Sequence, residues 1–243
     1  MKRLRLALFV PGAIALAAVY GLGVRGLHPL GSWHGAYGEL LNGVAVGERN
    51  ATDVVSAVNF DYRALDTMGE EFILFASVIA VAAILKKDDQ EGEEEPDEPR
   101  PAPDSDAVRL LGVALVPATV IFGLYMITHG QVSPGGGFQG GVVLASAPLV
   151  VYLCAGAKTY LRIAPPAFTK LGEAAGAAGY ALIGCLGVLA AKTFLENVLP
   201  LGQRGHAWSA GNIQVLNVSV GIAVAAGFAE LLASFVEEIV ESK

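Results

Sequence analysis

Four charged residues crowd one short stretch, Arg63, Asp66, Glu70 and Glu71 in RALDTMGEE, immediately before an apolar run. On a helix, Arg63, Asp66 and Glu70 fall along one face at separations of three and four residues, while Glu71 is turned about 100° away. The uninterrupted apolar part, Phe72 to Leu85, covers only about 21 Å at 1.5 Å per residue, so a membrane-crossing helix must draw in the acidic residues before it. A carboxylate at the edge of a hydrocarbon layer is costly and suits an ion or proton path, and a nearby arginine can hold it charged. The competing reading makes Asp66 a helix cap and leaves Glu70 and Glu71 facing headgroup water.

Two further groups could carry protons. His129 titrates near neutrality if unperturbed, yet a lone histidine without a second ligand at metal spacing equally serves as a hydrogen-bonded structural residue. Lys192 precedes Glu196 by one turn, where snorkelling and a local ion pair account for it without a transport role. His129 opens onto a glycine-dense turn, THGQVSPGGGFQGG, in which Pro134 stiffens the chain, Gly135, Gly136 and Gly137 permit positive φ and close approach, and Gln139 adds a polar side chain. Such a turn either exposes N–H groups to an anion or hydrated path, or packs as a tight helix connection against a neighbour.

The elements that position these groups follow from composition. The chain has 243 residues, 53% hydrophobic and 16% charged, with the apolar residues gathered into blocks. Six blocks approach the roughly 20 residues of a membrane-spanning helix: Leu6 to Val24, Asp66 to Leu85, Leu110 to Thr128, Gly140 to Leu161, Glu173 to Leu195 and Ile213 to Phe235. Backbone polar groups in lipid find partners in helices, and the alternation of a barrel is missing, so the predicted class is an all-α polytopic membrane protein. The first block follows Lys2, Arg3 and Arg5 like a secretory signal, but its apolar run continues to near spanning length and reads as a retained helix. Basic residues concentrate on one side if both termini are cytoplasmic, with only Arg25, Arg49, Arg63, Arg204 and Lys192 on the other.

Between the blocks, DDQEGEEEPDEPRPAPDSD (88–106) supplies much of the net charge of −7 and reads as a disordered linker. It divides a two-helix module, residues 1–87, from a four-helix module, residues 107–243. Pro117 and Pro148 can kink their helices. Asn212, Gln214, Asn217 and Glu230 should face protein rather than lipid. Cys154 and Cys185 lie within spans and read as packing residues. Phosphate-binding, zinc, serine-nucleophile and iron–sulfur motifs are missing, which argues against a stand-alone enzyme with catalytic or metal-ligating residues of its own.

From about Leu110 to Phe235, the segments THGQVSPGGGFQGGVVLA, FLENVLPLGQRG and SAGNIQVLNVSVGI resemble the B subunit of Mrp-type multisubunit cation/proton antiporters, the MnhB family. The first module has a separate likeness. VNFDYRALDTMGEE resembles the DFRGFDTLGE motif near the carboxyl end of the large A subunit of these antiporters and the small E subunit of membrane-bound hydrogenases. Asp61, Arg63, Asp66, Thr67, Gly69 and Glu70 occupy matching positions, whereas Tyr62 and Ala64 depart from the pattern. The resemblance implies that Glu70 stands where the family has an acidic residue implicated in cation transport. It further implies an accessory subunit in a prokaryotic plasma membrane, without cofactor or nucleic-acid partner. Its partners would be large subunits that resemble the proton channels of complex I, and its ions Na⁺ and H⁺. A subunit of a hydrogenase-like, redox-driven complex and a purely structural scaffold are the alternatives.

Overall fold

The computed structural model describes residues 2–27, 29, 31–32, 35–85 and 105–241. Residues 88–104 of the acidic linker lie outside the described residues; its last residue, Asp106, begins a helix. The chain divides into two compact units, residues 1–40 and residues 41–243. The first holds helix α1 (Lys2–Arg25), whose apolar stretch is Phe9–Arg25.

The second unit takes in most of α2 (Ala36–Arg49), which begins just before its boundary, and then a short helix α3 (Val54–Ala57) that runs into a π-helical turn, Val58–Tyr62. Five long apolar helices account for most of the rest: α4 (Ala64–Leu85), α5 (Asp106–Thr128), α6 (Gly137–Ala155), α8 (Pro166–Ala191) and α9 (Asn212–Glu241). A seven-residue helix α7 (Ala157–Ile163) separates α6 from α8. No strand forms among the described residues, and the five long helices have the length and hydropathy of membrane spans. The molecule is an all-helical, multi-pass membrane protein.

Two expected spans end differently in the structure. The block Gly140 to Leu161 breaks at Gly156, whose φ of 80° ends α6 and starts α7. The block Glu173 to Leu195 is displaced: Pro165 and Pro166 permit an earlier start, and Lys192, at φ 66°, terminates the helix. The amphipathic α2 and the π turn were not visible as spans because neither has a long apolar run.

Helix α9 occupies the centre. Over half of its membrane window is buried, against under a quarter in each of the other four, and it packs on α4, α5, α6 and α8. Close approach is made possible by small residues. A Cβ on Gly176 of α8 would lie 2.5 Å from the Ser219 carbonyl oxygen, and one on Gly141 of α6 would lie 2.7 Å from Cβ of Val224. This is the packing expected in lipid, where helices gain little from hydrophobic association and rely on backbone proximity. One apolar core gathers around Phe60, Tyr180, Ile213, Leu216, Val220 and Val224, and a second around Tyr152, Tyr160, Ala233 and Val236. The asparagines, glutamine and glutamate expected to face protein do so: Asn212, Gln214, Asn217 and Glu230 are all buried.

A polar tie closes the end where α4 and α9 begin. Asp61, at the end of the π turn, accepts from Nε of Arg49 at 2.7 Å and from Nδ2 of Asn197 at 2.8 Å. Asn197 in turn accepts from the backbone N–H of Asn212 at 2.8 Å. Burial alone would lower the proton affinity of the Arg49 guanidinium, but the bond and charge of Asp61 outweigh it. Burial, reinforced by the hydrogen bond donated to Glu48, pushes the Tyr62 phenol up to about 12, so it remains a donor at neutral pH while Arg49 stacks 5.2 Å from its ring centroid.

Two outcomes follow. Gly176→Leu should lower the thermal midpoint in detergent, because overpacking of this kind costs about 1–3 kcal/mol; an unchanged midpoint would mean that α8 and α9 are not in contact there. Asp61→Asn should cost about 1.5–3 kcal/mol through the lost charged hydrogen bond. Adding Arg49→Gln to it should cost little more; fully additive losses would show that the two residues are uncoupled.

Candidate ion-path carboxylates and the glycine turn

The predicted acidic stripe is split by the backbone. Arg63 has φ −129° and ψ 31°, outside the helical range, so it sits at the joint between the π turn and α4 rather than within the helix. It nevertheless reaches Asp66, with Nη2 2.6 Å from Oδ2, and both side chains are more than half exposed. A pair this open contributes about 0–1 kcal/mol and holds the two groups in place more than it stabilises the fold. Glu70 is also exposed, on the outward side of α4. Asp66 and Glu70 are thus available to a partner surface.

Glu71 points the other way. The turn of about 100° that separates it from Glu70 directs it inward, where it is 3% exposed and its Oε1 has no hydrogen-bond partner. Glu173 of α8 is 4% exposed with an equally unpartnered Oε1. Glu230 of α9 is buried, accepts from the Thr169 hydroxyl, and lies 3.5 Å from Nζ of Lys170. Among the described residues, the acidic side chains most deeply enclosed by protein are therefore these three, from three different helices. The sequence signal for Glu173 and Glu230 is a single carboxylate among small and apolar residues, in KLGEAAGAAGY and GFAELLA.

His129 caps α5, stacked on Tyr125 with ring centroids 4.4 Å apart. Its Nδ1 lies 3.3 Å from the Thr128 hydroxyl. Lys192 is the left-handed cap of α8 and is exposed. Because the chain turns there, the helical spacing to Glu196 is lost, and the expected Lys192–Glu196 ion pair is not among those formed by the described residues. The structure brings neither His129 nor Lys192 into an ion pair with the acids of α4.

The glycine turn is a clamp within the chain. Gly135 and Gly136 have φ of 156° and 123°, the second in a region L side chains rarely enter. The Gly136 N–H bonds the Met126 carbonyl at 3.1 Å, returning the turn onto α5, and the Gly137 N–H donates to Oδ1 of Asn217 at 2.9 Å, fixing the start of α6 to α9. From the other side, the Ser56 hydroxyl donates to the Gly130 carbonyl at 2.6 Å and Thr52 donates to the Val132 carbonyl. Gln131, fully buried, donates to the Ala207 carbonyl at 2.7 Å. Pro134 and Gln139 remain exposed. The N–H groups of Gly136 and Gly137 are committed to these protein acceptors.

Comparison with known proteins agrees with this arrangement. Residues 107–230 match the family described as the domain related to the MnhB subunit of Na⁺/H⁺ antiporter. An uncharacterized protein of Methanocaldococcus jannaschii is 30% identical over 192 residues, covering 71% of this chain and 72% of that one. Among solved structures, a chain of the membrane-bound sulfane sulfur reductase, an archaeal respiratory membrane complex, superposes with a TM-score of 0.71 at 25% identity, covering 99% of this chain and 100% of its own. A chain of the Mrp complex from Dietzia sp. DQ12-45-1b superposes with a TM-score of 0.68 at 23% identity, covering 96% of this chain and 26% of the longer one. With the glycine turn, the four helices around it and this match all falling in one segment, the chain belongs to the family built on the MnhB-related domain.

Proposed function

We propose that this chain is an accessory subunit of a multisubunit Mrp-type monovalent cation/proton antiporter complex, and that it offers carboxylates of α4 to the cation path. The observation that carries this reading is the outward placement of Asp66 and Glu70 beside an MnhB-related domain that shares one compact unit with α4. Carboxylates on the exposed face of a membrane-spanning helix require water or a partner surface, and large subunits of the complex would supply it. In this reading Arg63 positions Asp66 through their ion pair, Glu70 lies one turn further along, and His129 and Lys192 belong to helix ends outside the path. With both termini cytoplasmic, the Asp66 and Glu70 end of α4 faces outward from the cell.

A second reading has its own observation. The chain is coextensive with a single chain of the sulfane sulfur reductase complex, which supports service in a redox-driven ion-pumping assembly. Mass spectrometry of the intact complex, purified through a tag on this chain, separates the two: large antiporter-like subunits without redox proteins support the antiporter, and iron–sulfur subunits support the redox-driven complex. Within either assembly, Glu70→Gln should reduce Na⁺-coupled proton exchange in proteoliposomes by about tenfold or more while the complex stays assembled, since a neutral amide neither balances a cation's charge nor takes up a proton. Full exchange in that variant would leave the chain a structural scaffold at this position.

A further inference from the structure

The inward side of α4 begins a second acidic series that the exposed stripe does not use. Its order along the membrane can be read from the packing. The hydroxyl of Tyr180 donates to the Ala64 carbonyl at 2.8 Å, placing Tyr180 of α8 at the start of α4. Glu71 stands two turns further along α4, and Val78 two turns beyond that, each step about 10 Å along the axis. At the Val78 level, a Cβ on Gly227 of α9 would lie 3.1 Å from Oε1 of Glu173 and 3.4 Å from Cγ2 of Val78, so Glu173 fits beside α4 because Gly227 has no side chain. Glu230 follows Gly227 by one turn and meets Thr169 and Lys170 near the beginning of α8.

Buried polar atoms without partners are rare and call for an explanation. Here two of them, Oε1 of Glu71 and Oε1 of Glu173, belong to buried carboxyl groups on helices α4 and α8, which pack together, and the buried Glu230 lies on α9, which packs on both. Such a series is stable only if protons or cations occupy part of it. A bound metal cation fits poorly. Among the described residues no three acidic, histidine or cysteine side chains converge on one point, and Lys170 places a positive charge at the Glu230 end.

We propose that the seam between α4, α8 and α9 carries protons through Glu71, Glu173 and Glu230 in turn, inside this chain and apart from the exposed Asp66 and Glu70. The proposal rests on the chain working in an ion-translocating complex. Each step passes one proton from a carboxylic acid to the next carboxylate, through bridging water where the gap exceeds a hydrogen bond, leaving the donor as carboxylate. The groups facing the series are Tyr180 and Lys170 from α8, with Glu70 adjacent to Glu71 on α4 but turned outward, and no further ionisable side chain of α9 between Asn212 and Val236. Tyr180 closes the series toward the start of α4, and Lys170, with Nζ 3.5 Å from Oε1 of Glu230, stands at its other end.

The test uses the whole complex in proteoliposomes with an internal pH-sensitive dye and an imposed sodium gradient. Glu71→Gln and Glu173→Gln should each slow proton movement by about a hundredfold, the lower range for loss of a positioned proton-transfer group, with Glu173→Asp recovering part of it. A double variant that moves protons within twofold of the parent would overturn the proposal. The second measurement is infrared difference spectroscopy of the parent complex between acidic and alkaline buffer. A carboxylic-acid C=O band that shifts in D₂O and disappears in Glu173→Gln supports the series even if a variant assembles poorly; absence of such a band in the parent overturns it. A parent complex that shows the band but exchanges no sodium for protons would count against the antiporter reading alone.

Discussion

One buried asparagine holds the central arrangement together. Asn217 lies in the middle of the protein with no exposed surface, accepts from the first N–H of α6 and donates to the Ile213 carbonyl one turn back on α9. The first N–H groups of a helix have no partner within it, and at a buried helix start an orphan would cost about 1–3 kcal/mol. By meeting that need, Asn217 fixes where α6 begins and how closely it approaches α9. A Cβ at Gly137 would lie 2.5 Å from the Asn217 carbonyl oxygen, so the bond and the missing side chain are two halves of one contact. The turn that brings α5 to α6, and the Ser56 and Thr52 bonds that brace it, inherit their position from there.

Much of this was legible in the sequence, for identifiable reasons. Apolar blocks marked the long helices because lipid leaves the backbone few alternatives. The inward orientation of Asn212, Gln214, Asn217 and Glu230 followed from the cost of presenting amides and carboxylates to hydrocarbon. The glycine turn was recognisable as a specialised connection, but its partners were not, since residues 52–56 and Asn217 are far from it in sequence. Helix ends were misplaced where a single residue adopts positive φ, at Gly156 and Lys192. The lysine is the less readable of the two, because its left-handed cap depends on the loop folding back, with the Leu195 N–H bonded to the Gly184 carbonyl at 3.2 Å.

Glu71 is the instructive case. Helix geometry separated it from Arg63, Asp66 and Glu70, yet periodicity cannot say which of two faces meets the protein. The neighbours that decide it, Tyr180 and Glu173, come from α8, more than a hundred residues later. The result is two acidic populations on one helix. One is open and braced by an arginine; the other is enclosed, with a carboxyl oxygen that has no hydrogen-bond partner. Asp61 belongs to neither, being tied up with Arg49 and Asn197.

The glycine contacts around α9 also bear on mechanics. When backbones touch with almost no side chain between them, a helix cannot slide past its neighbour by a fraction of a turn without first being prised away from it, and packed interfaces of this kind behave as discrete rather than graded. Helices α6, α8 and α9 therefore act as a strut. Any movement of charge through such a body would have to come from rotation of side chains and exchange of water, while any larger displacement that an assembly needs must be accommodated at its outer faces, where α4 and α5 leave most of their surface open.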